Sequence, residues 1–424
     1  MSIGLSLQAE MKDANEDAEA FLHDVSLWLQ REYEEFSPQT KLETVEGLPT
    51  LFCELHPTGE PLELSVPDAH HVTVFATTSC AGPGYHIFVC NLLQKLARNF
   101  RAEWLVPDRD GDYGDDAEYF FTGKQENVFE HMNAWLRSVT GTFFEGGLEE
   151  DFKNLALCMP MNVHFDGNGL AVTPLGPRDR EWLLKTSQGA PTGKEFFAWW
   201  TSGMNAEYYL GRALGLMWSE VRWRKPLNEP ERRVLKEVAD SLRTAKQLDP
   251  SLSYPWPEWM EVLNLLELEA DKALITEQLS NPSTIGYRRR DVTVQLPGGW
   301  SLRLPGSFSD FESDNEGNFF ALDPPREIWF TAYSFKENQP RALFESRLKQ
   351  VLENPPELLQ RGENYVASAK VVEKVHDSGE RYFLLQSSNQ GLNTRSVCTI
   401  LFEDYRDRAW AESVWRSLNP ENHS

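Results

Sequence analysis

Cysteine is scarce, and the cysteines present form no pattern. Cys53, Cys80, Cys90, Cys158 and Cys398 are widely spaced, odd in number and free of any CxxC pair. That argues against a disulfide framework and against a zinc ribbon. Long apolar runs are missing as well. No stretch reaches the roughly 20 residues that span a bilayer. Residues 1–7 carry neither a basic segment nor a long apolar core, so no signal peptide is expected. These absences point to the cytoplasm. Positive charge is in deficit: 41 Lys and Arg stand against 65 Asp and Glu, a formal charge of -24. Such a field repels nucleic-acid phosphates and anionic membranes and attracts a basic protein partner, although solubility alone is also served by it. No nucleophile elbow and no phosphate-binding loop occurs. No cofactor and no bound metal is implied.

What is present is a folded chain. It has 424 residues, 41% hydrophobic and 12% aromatic, enough for two or three domains with a sizeable core. The stretch Gly286-Tyr-Arg-Arg-Arg-Asp291 separates two hydrophobic regimes. Before it, helical spacing dominates. After it, Val292, Val294 and Leu296 alternate with polar residues, Pro297-Gly-Gly299 breaks the run, and Trp300, Leu302 and Leu304 resume it. That is strand, turn, strand. A domain boundary is expected near Gly286, and Arg288–Arg290 reads as a salt-bridged linker.

In the first part an amphipathic helix is expected over 13–36, from Phe21, Leu22, Val25, Trp28 and Leu29. Strands follow at 51–55, 62–66 and 72–77. The turn Ser79-Cys-Ala-Gly-Pro-Gly-Tyr-His86 then leads into a helix buried through Val89, Leu92, Leu93 and Leu96. Residues 103–106 read as a strand and 124–139 as a helix. This order suits a βαβ unit or an antiparallel sheet equally well. Residues 161–165 and 170–173 read as a hairpin around Asp166-Gly and Asn168-Gly. Helices follow, one capped by Asn228 and the last over 259–279. The fold class expected is α+β: a mixed domain over 1–180, a helical section over 181–286 packed on it, and a smaller antiparallel domain over 287–424.

The last part has strands at 327–335, 367–375, 382–387 and 396–402, with helices over 341–353 and 406–418. Its features are Leu296-Pro-Gly-Gly-Trp-Ser-Leu-Arg-Leu-Pro305, the strand Trp329-Phe-Thr-Ala-Tyr333 and the tryptophan-bearing last helix. With these it resembles the Mog1/DcrB/PsbP-like α/β sandwich, over under a third of the chain. The resemblance implies a binding module, as in bacterial adaptors that hold secreted effectors. It implies no catalytic residue.

Candidate sites are few. Asp108, Asp110, Asp112, Asp115 and Asp116 lie in one short acidic run. As a calcium loop the run lacks the glycine at its sixth position and the closing glutamate, so a solvated turn or a docking patch for a basic partner is expected. Cys80 at a helix start, with His86 as base, would make a thiol nucleophile. A tight turn needing Gly82 and Gly84, with Cys80 buried, is the simpler reading. His164 and Asp166 share a strand face, where a structural hydrogen bond is expected. His70 and His71 point to opposite faces. Trp199, Trp200, Trp218, Trp223, Trp256 and Trp259 crowd the helical section. Most belong to a core. Trp199, Trp200, Trp223 and Trp256 would serve a partner groove. The function expected is therefore protein binding, as an immunity or adaptor protein that holds a toxin or effector. The alternative is a hydrolase built on Cys80 and His86.

Overall fold

The computed structural model describes residues 2–14, 17–34, 38–106, 114–145, 155–268, 284–313, 317–334, 341–353, 355–362, 364–391 and 394–420. Within them the chain is α+β, and each ladder between its strands is antiparallel. The chain divides into two compact units. The first takes residues 1–159, 167–221 and 228–286, and the second takes 160–166, 222–227 and 287–424.

The first unit is organised by β1 (Gly4–Met11), a strand that the sequence reading missed. Leu5, Leu7, Ala9 and Met11 alternate inward, the period of a half-buried strand. After it come α1 (Ala18–Glu32), β2 (Gln39–Val45), β3 (Leu48–Glu54), β4 (Leu62–Asp68) and β5 (His71–Thr77). Then follow α2 (Pro83–Asn99), β6 (Ala102–Trp104), β7 (Gly114–Asp115), α3 (Tyr119–Thr122) and α4 (Gln125–Glu145). The sheet runs β2-β3-β4-β5-β1-β6, with β7 also on β1. Strands β5 and β6, which flank α2 in sequence, therefore both pair with β1 rather than with each other, and the antiparallel alternative holds.

Helix α2 sits between two apolar clusters. Tyr85, Val89, Leu92, Leu93 and Leu96 pack with the sheet residues Leu7, Leu64 and Val74 and with Trp28 of α1. Ile87 joins Val128, Met132 and Leu136 of α4. Side chains on both sides of one helix are thus withdrawn from water, which is why its first turn is buried throughout. Five helices follow: α5 (Arg180–Ser187), α6 (Gly193–Phe196), α7 (Ala206–Ser219), α8 (Glu229–Leu248) and α9 (Trp256–Leu265). Asn228 caps α8, its side chain accepting from the Glu231 N–H at 2.9 Å. The helix expected over 259–279 ends at Leu265, and residues 269–279 lie outside the described residues.

The second unit opens with β8 (Val163–Phe165), which corrects the expected hairpin. Its residues pair with Val292–Val294, not with 170–173. The Asp-Gly and Asn-Gly turns are local signals, and they could not name a partner so far along the chain. A four-stranded sheet runs β18-β10-β9-β8, from β9 (Asp291–Leu296), β10 (Trp300–Pro305) and β18 (Asn419–Pro420). A seven-stranded sheet runs β11-β12-β13-β17-β16-β15-β14. Its strands are β11 (Ser309–Ser313), β12 (Asn318–Asp323), β13 (Arg326–Ser334), β14 (Leu358–Arg361), β15 (Tyr365–Val375), β16 (Arg381–Gly391) and β17 (Thr394–Phe402). Helices α10 (Arg341–Glu353) and α11 (Arg408–Arg416) complete it. Trp300 of β10 lies 6.3 Å from Phe330 of β13 and 6.4 Å from Tyr365 of β15, so one indole joins the two sheets.

That indole is fully buried, and its N–H donates to Thr394 Oγ1 at 3.0 Å. Trp300→Ala should cost about 3–5 kcal/mol through the cavity it leaves. Thr394→Val should cost about 1–3 kcal/mol by stranding the buried N–H. Urea unfolding followed by circular dichroism measures both. A loss under about 1 kcal/mol for the alanine variant would deny the joining role.

Candidate functional site

The entrance to α2 explains its glycines. Gly82 has φ of 113°, a conformation that side chains oppose. A Cβ on Gly84 would lie 2.0 Å from the Thr201 carbonyl oxygen and 2.2 Å from the Trp199 ring. The segment 197–201 is drawn this close by two backbone bonds: the Gly84 N–H donates to Trp199 O at 3.0 Å, and the Trp199 N–H donates to Ala81 O at 2.9 Å.

Beneath this entrance lies a buried polar chain. Thr78, just past β5, has its hydroxyl 3.2 Å from the Ile3 carbonyl and 2.8 Å from His86 Nδ1. A carbonyl can only accept, so the hydroxyl donates to Ile3 and accepts from Nδ1–H. On the other side of the ring, Nε2 lies 2.9 Å from Asp115 Oδ1, with neither side chain exposed. That contact is close, but its direction is not that of a hydrogen bond, and Nε2 is otherwise without a partner. Asp115 is held by β7, which pairs with Leu5 of β1. Its carboxylate also accepts the N–H groups of Ala117 at 2.8 Å and Phe120 at 2.7 Å. Burial pushes the Asp115 carboxyl up. The adjoining His86 ring and those two N–H groups outweigh burial and hold it below the usual carboxylate range. One turn further along α2, Cys90 lies in the same pocket of ligand atoms. Burial, with the Asp115 charge adding to it, pushes its thiol well up.

Hydroxyl, imidazole and carboxylate stand here in the order of a nucleophile, base and orienter. The hydroxyl proton, however, goes to a backbone carbonyl and not to the ring, so Thr78 is not activated as a nucleophile.

The structure corrects several expectations. Cys80 forms a disulfide with Cys158, against the expectation of unpaired cysteines and of a buried free thiol. Spacing could not show it, because 78 residues separate the two. A sulfur in that bond is no thiolate nucleophile. Asp115 is no docking residue, being enclosed against His86. Asp116 is exposed, but its Oδ2 accepts the Gly4 N–H at 2.9 Å and so pins the start of β1. Asp108, Asp110 and Asp112 lie outside the described residues. Trp199 is core, 1% exposed and 4.2 Å from the Tyr208 ring. Trp200 is half-buried and stacked on Phe197 at 5.9 Å. Trp256 stacks on Trp259 at 5.7 Å, and the Arg289 guanidinium lies 3.6 Å over Trp223. Each of these tryptophans packs on a ring or a guanidinium of its own unit. His164 and Asp166 are exposed.

No known family's sequence model matches this chain, and no curated protein does. Among solved structures, one of a protein from Bacteroides thetaiotaomicron VPI-5482 is similar at 16% identity and a TM-score of 0.25, over 31% of this chain and 48% of that one. This chain therefore spans less than half the length of that protein. The cyanobacterial PsbP protein CyanoP from Synechocystis sp. PCC 6803 is similar at 9% identity and a TM-score of 0.17, over 29% of this chain and 87% of that one. Both likenesses are partial and weak, so the sandwich resemblance of the last part stays a resemblance.

A second buried histidine was not singled out by the sequence. His56 is 4% exposed, within 5.7 Å of the Trp199 ring and 5.9 Å of Tyr85. Its Nδ1 faces the Thr58 N–H at 3.3 Å and the Thr58 hydroxyl at 3.0 Å, so Nδ1 accepts and the ring is neutral. Burial, with the Arg212 charge adding to it, pushes its pKa well below the ordinary value. The unfolded chain then takes up this proton first as pH falls. Stability from this group is complete above pH ~6.5 and should fall by up to ~1.4 kcal/mol per pH unit below it. His56→Gln should flatten that slope in urea unfolding between pH 5 and 8. An unchanged slope would contradict the neutral ring.

Proposed function

We propose that this chain is a protein-binding module of the adaptor or immunity type, holding a basic partner, and not an enzyme. The observation that supports it most is an exposed aromatic strip on the seven-stranded sheet. Trp329 is 51% and Tyr333 59% exposed, two residues of one face of β13. Phe320 of β12 lies 4.4 Å from Trp329, and the exposed Val397 of β17 stands opposite Thr331 between them. Rigid aromatic anchors of this kind carry binding energy. The Trp329 indole N–H donates to the Glu327 carboxylate at 3.2 Å, which sets a negative charge beside the strip. The formal charge of -24 would steer a basic ligand towards the molecule.

The hydrolase alternative loses its nucleophile to the Cys80–Cys158 bond. No helix among the described residues is long and apolar enough to cross a membrane. A cytoplasmic location belongs to this reading, and nucleic acid does not. The disulfide is the feature that weighs against the cytoplasm, since such bonds persist mainly in oxidising compartments.

The test is capture from native lysate on immobilised wild type and on Trp329→Ala/Tyr333→Ala, followed by binding rates with the purified partner. A single basic protein should be captured in near-equal amount. The double variant should bind it at least ~30-fold more weakly, a hot-spot loss of about 2 kcal/mol. Association should slow as salt screens the field. Equal binding by the double variant, or capture of no partner, would overturn the reading.

A further inference from the structure

The chain holds one cluster of metal-type donors, among the described residues, that no part of the proposed function uses. A ring nitrogen of His86, Cys90 Sγ and a carboxylate oxygen of Asp115 all lie within 4.8 Å of one another, and Nε2 is 2.9 Å from Asp115 Oδ1. His86 and Cys90 are four residues apart on α2 and so share a helix face. Asp115 comes to them on β7. All three are withdrawn from water, with His86 at 0% and Cys90 at 1% exposure and the Asp115 side chain at 0%.

The ring nitrogen is the telling atom. The Thr78 hydroxyl lies 3.2 Å from the Ile3 carbonyl and 2.8 Å from Nδ1; in the tautomer in which it donates to Ile3, Nδ1 carries the ring proton and Nε2 is left with a lone pair for a metal. That lone pair then faces a carboxylate oxygen at 2.9 Å. Two bases at this distance repel unless a cation lies between them. A proton on Nε2 would do it, but the contact lacks the direction of a hydrogen bond, and Nε2 has no other partner. A metal ion takes its ligands from such a position without that linear requirement. The outer contacts are those of a metal-bound histidine, whose second N–H is donated and fixes the tautomer. The carboxylate is likewise held, by the N–H groups of Ala117 and Phe120.

We propose that His86, Cys90 and Asp115 bind a zinc ion and that the ion ties α2 to β7. Imidazole, thiolate and carboxylate together are a borderline set that suits zinc better than calcium or magnesium. Zinc bonds of ~2.0–2.3 Å in a tetrahedron hold ligand atoms about 3.3–3.8 Å apart. To reach that geometry the His86–Asp115 pair, now at 2.9 Å, opens by about 0.4 Å, and separations of up to 4.8 Å close. Binding displaces the thiol proton, which leaves to solvent, and no other bond changes.

The test uses tag-free full-length protein, stripped with a chelator and titrated with zinc and, separately, with cobalt(II) as a spectroscopic probe. Wild type should take up about one zinc per chain, melt at a higher temperature with zinc, and give a thiolate-to-cobalt charge-transfer band. Cys90→Ala should lose the band and the zinc shift while keeping the far-ultraviolet spectrum, and Cys53→Ala should keep both. Should Cys90→Ala fail to fold, Thr78→Val keeps every ligand and should bind zinc ~10–100-fold more weakly through the lost outer bond. Wild type that takes up no zinc, Cys90→Ala that binds it as tightly, or Thr78→Val of equal affinity would overturn the proposal.

Discussion

The constraint on which the first unit rests is the close approach of backbone to backbone at the start of α2. Residues 82–84 and 197–201 touch at distances that admit no side chain on Gly84, and two hydrogen bonds lock them there. The contact places Trp199 over Tyr85 and Tyr208, and it closes the aromatic box around His56. It also seals the polar chain from Ile3 through Thr78 and His86 to Asp115 away from water. Buried polar groups are costly unless each is matched, and here each link but Nε2 is matched by geometry.

The acidic surplus therefore divides by role. Asp115 and Asp116 serve folding: one accepts the Phe120 N–H of α3 and faces His86, and the other holds the N-terminus of β1. Aromatic residues divide in the same way. Trp199, Trp259, Trp300 and Trp415 are fully buried. Trp329 and Tyr333 stand out of the second unit's sheet, where a folded chain gains least from them. The proposed binding reading rests on these two residues.

Much of the fold was legible where a segment's own period decides it. The β-branched and apolar run Val72–Ala76 read correctly as strand, and the spacing of Val89, Leu92, Leu93 and Leu96 along α2 read correctly as helix. So did the hairpin of β9 and β10 around Pro297-Gly-Gly299. β1 carries the same kind of local mark, since Leu5, Leu7, Ala9 and Met11 alternate. What could not be read was pairing at a distance. β8 finds its partner in β9, and Cys80 finds Cys158, without any local mark. The His86–Asp115 contact was hidden for the same reason, because composition makes the acidic run look solvated as a whole. Nor does a count of tryptophans separate those that pack from those that face water.

The most direct measurement compares two glycines by urea unfolding of the full chain. Gly84→Ala meets the Thr201 carbonyl, whereas Gly141→Ala, inside α4, meets nothing within 4 Å. With the entrance of α2 as the controlling contact, Gly84→Ala should lose about 3 kcal/mol or more. Gly141→Ala should gain about 0.5–1 kcal/mol, as alanine does in a helix interior. Equal stabilities for the two variants would contradict the account.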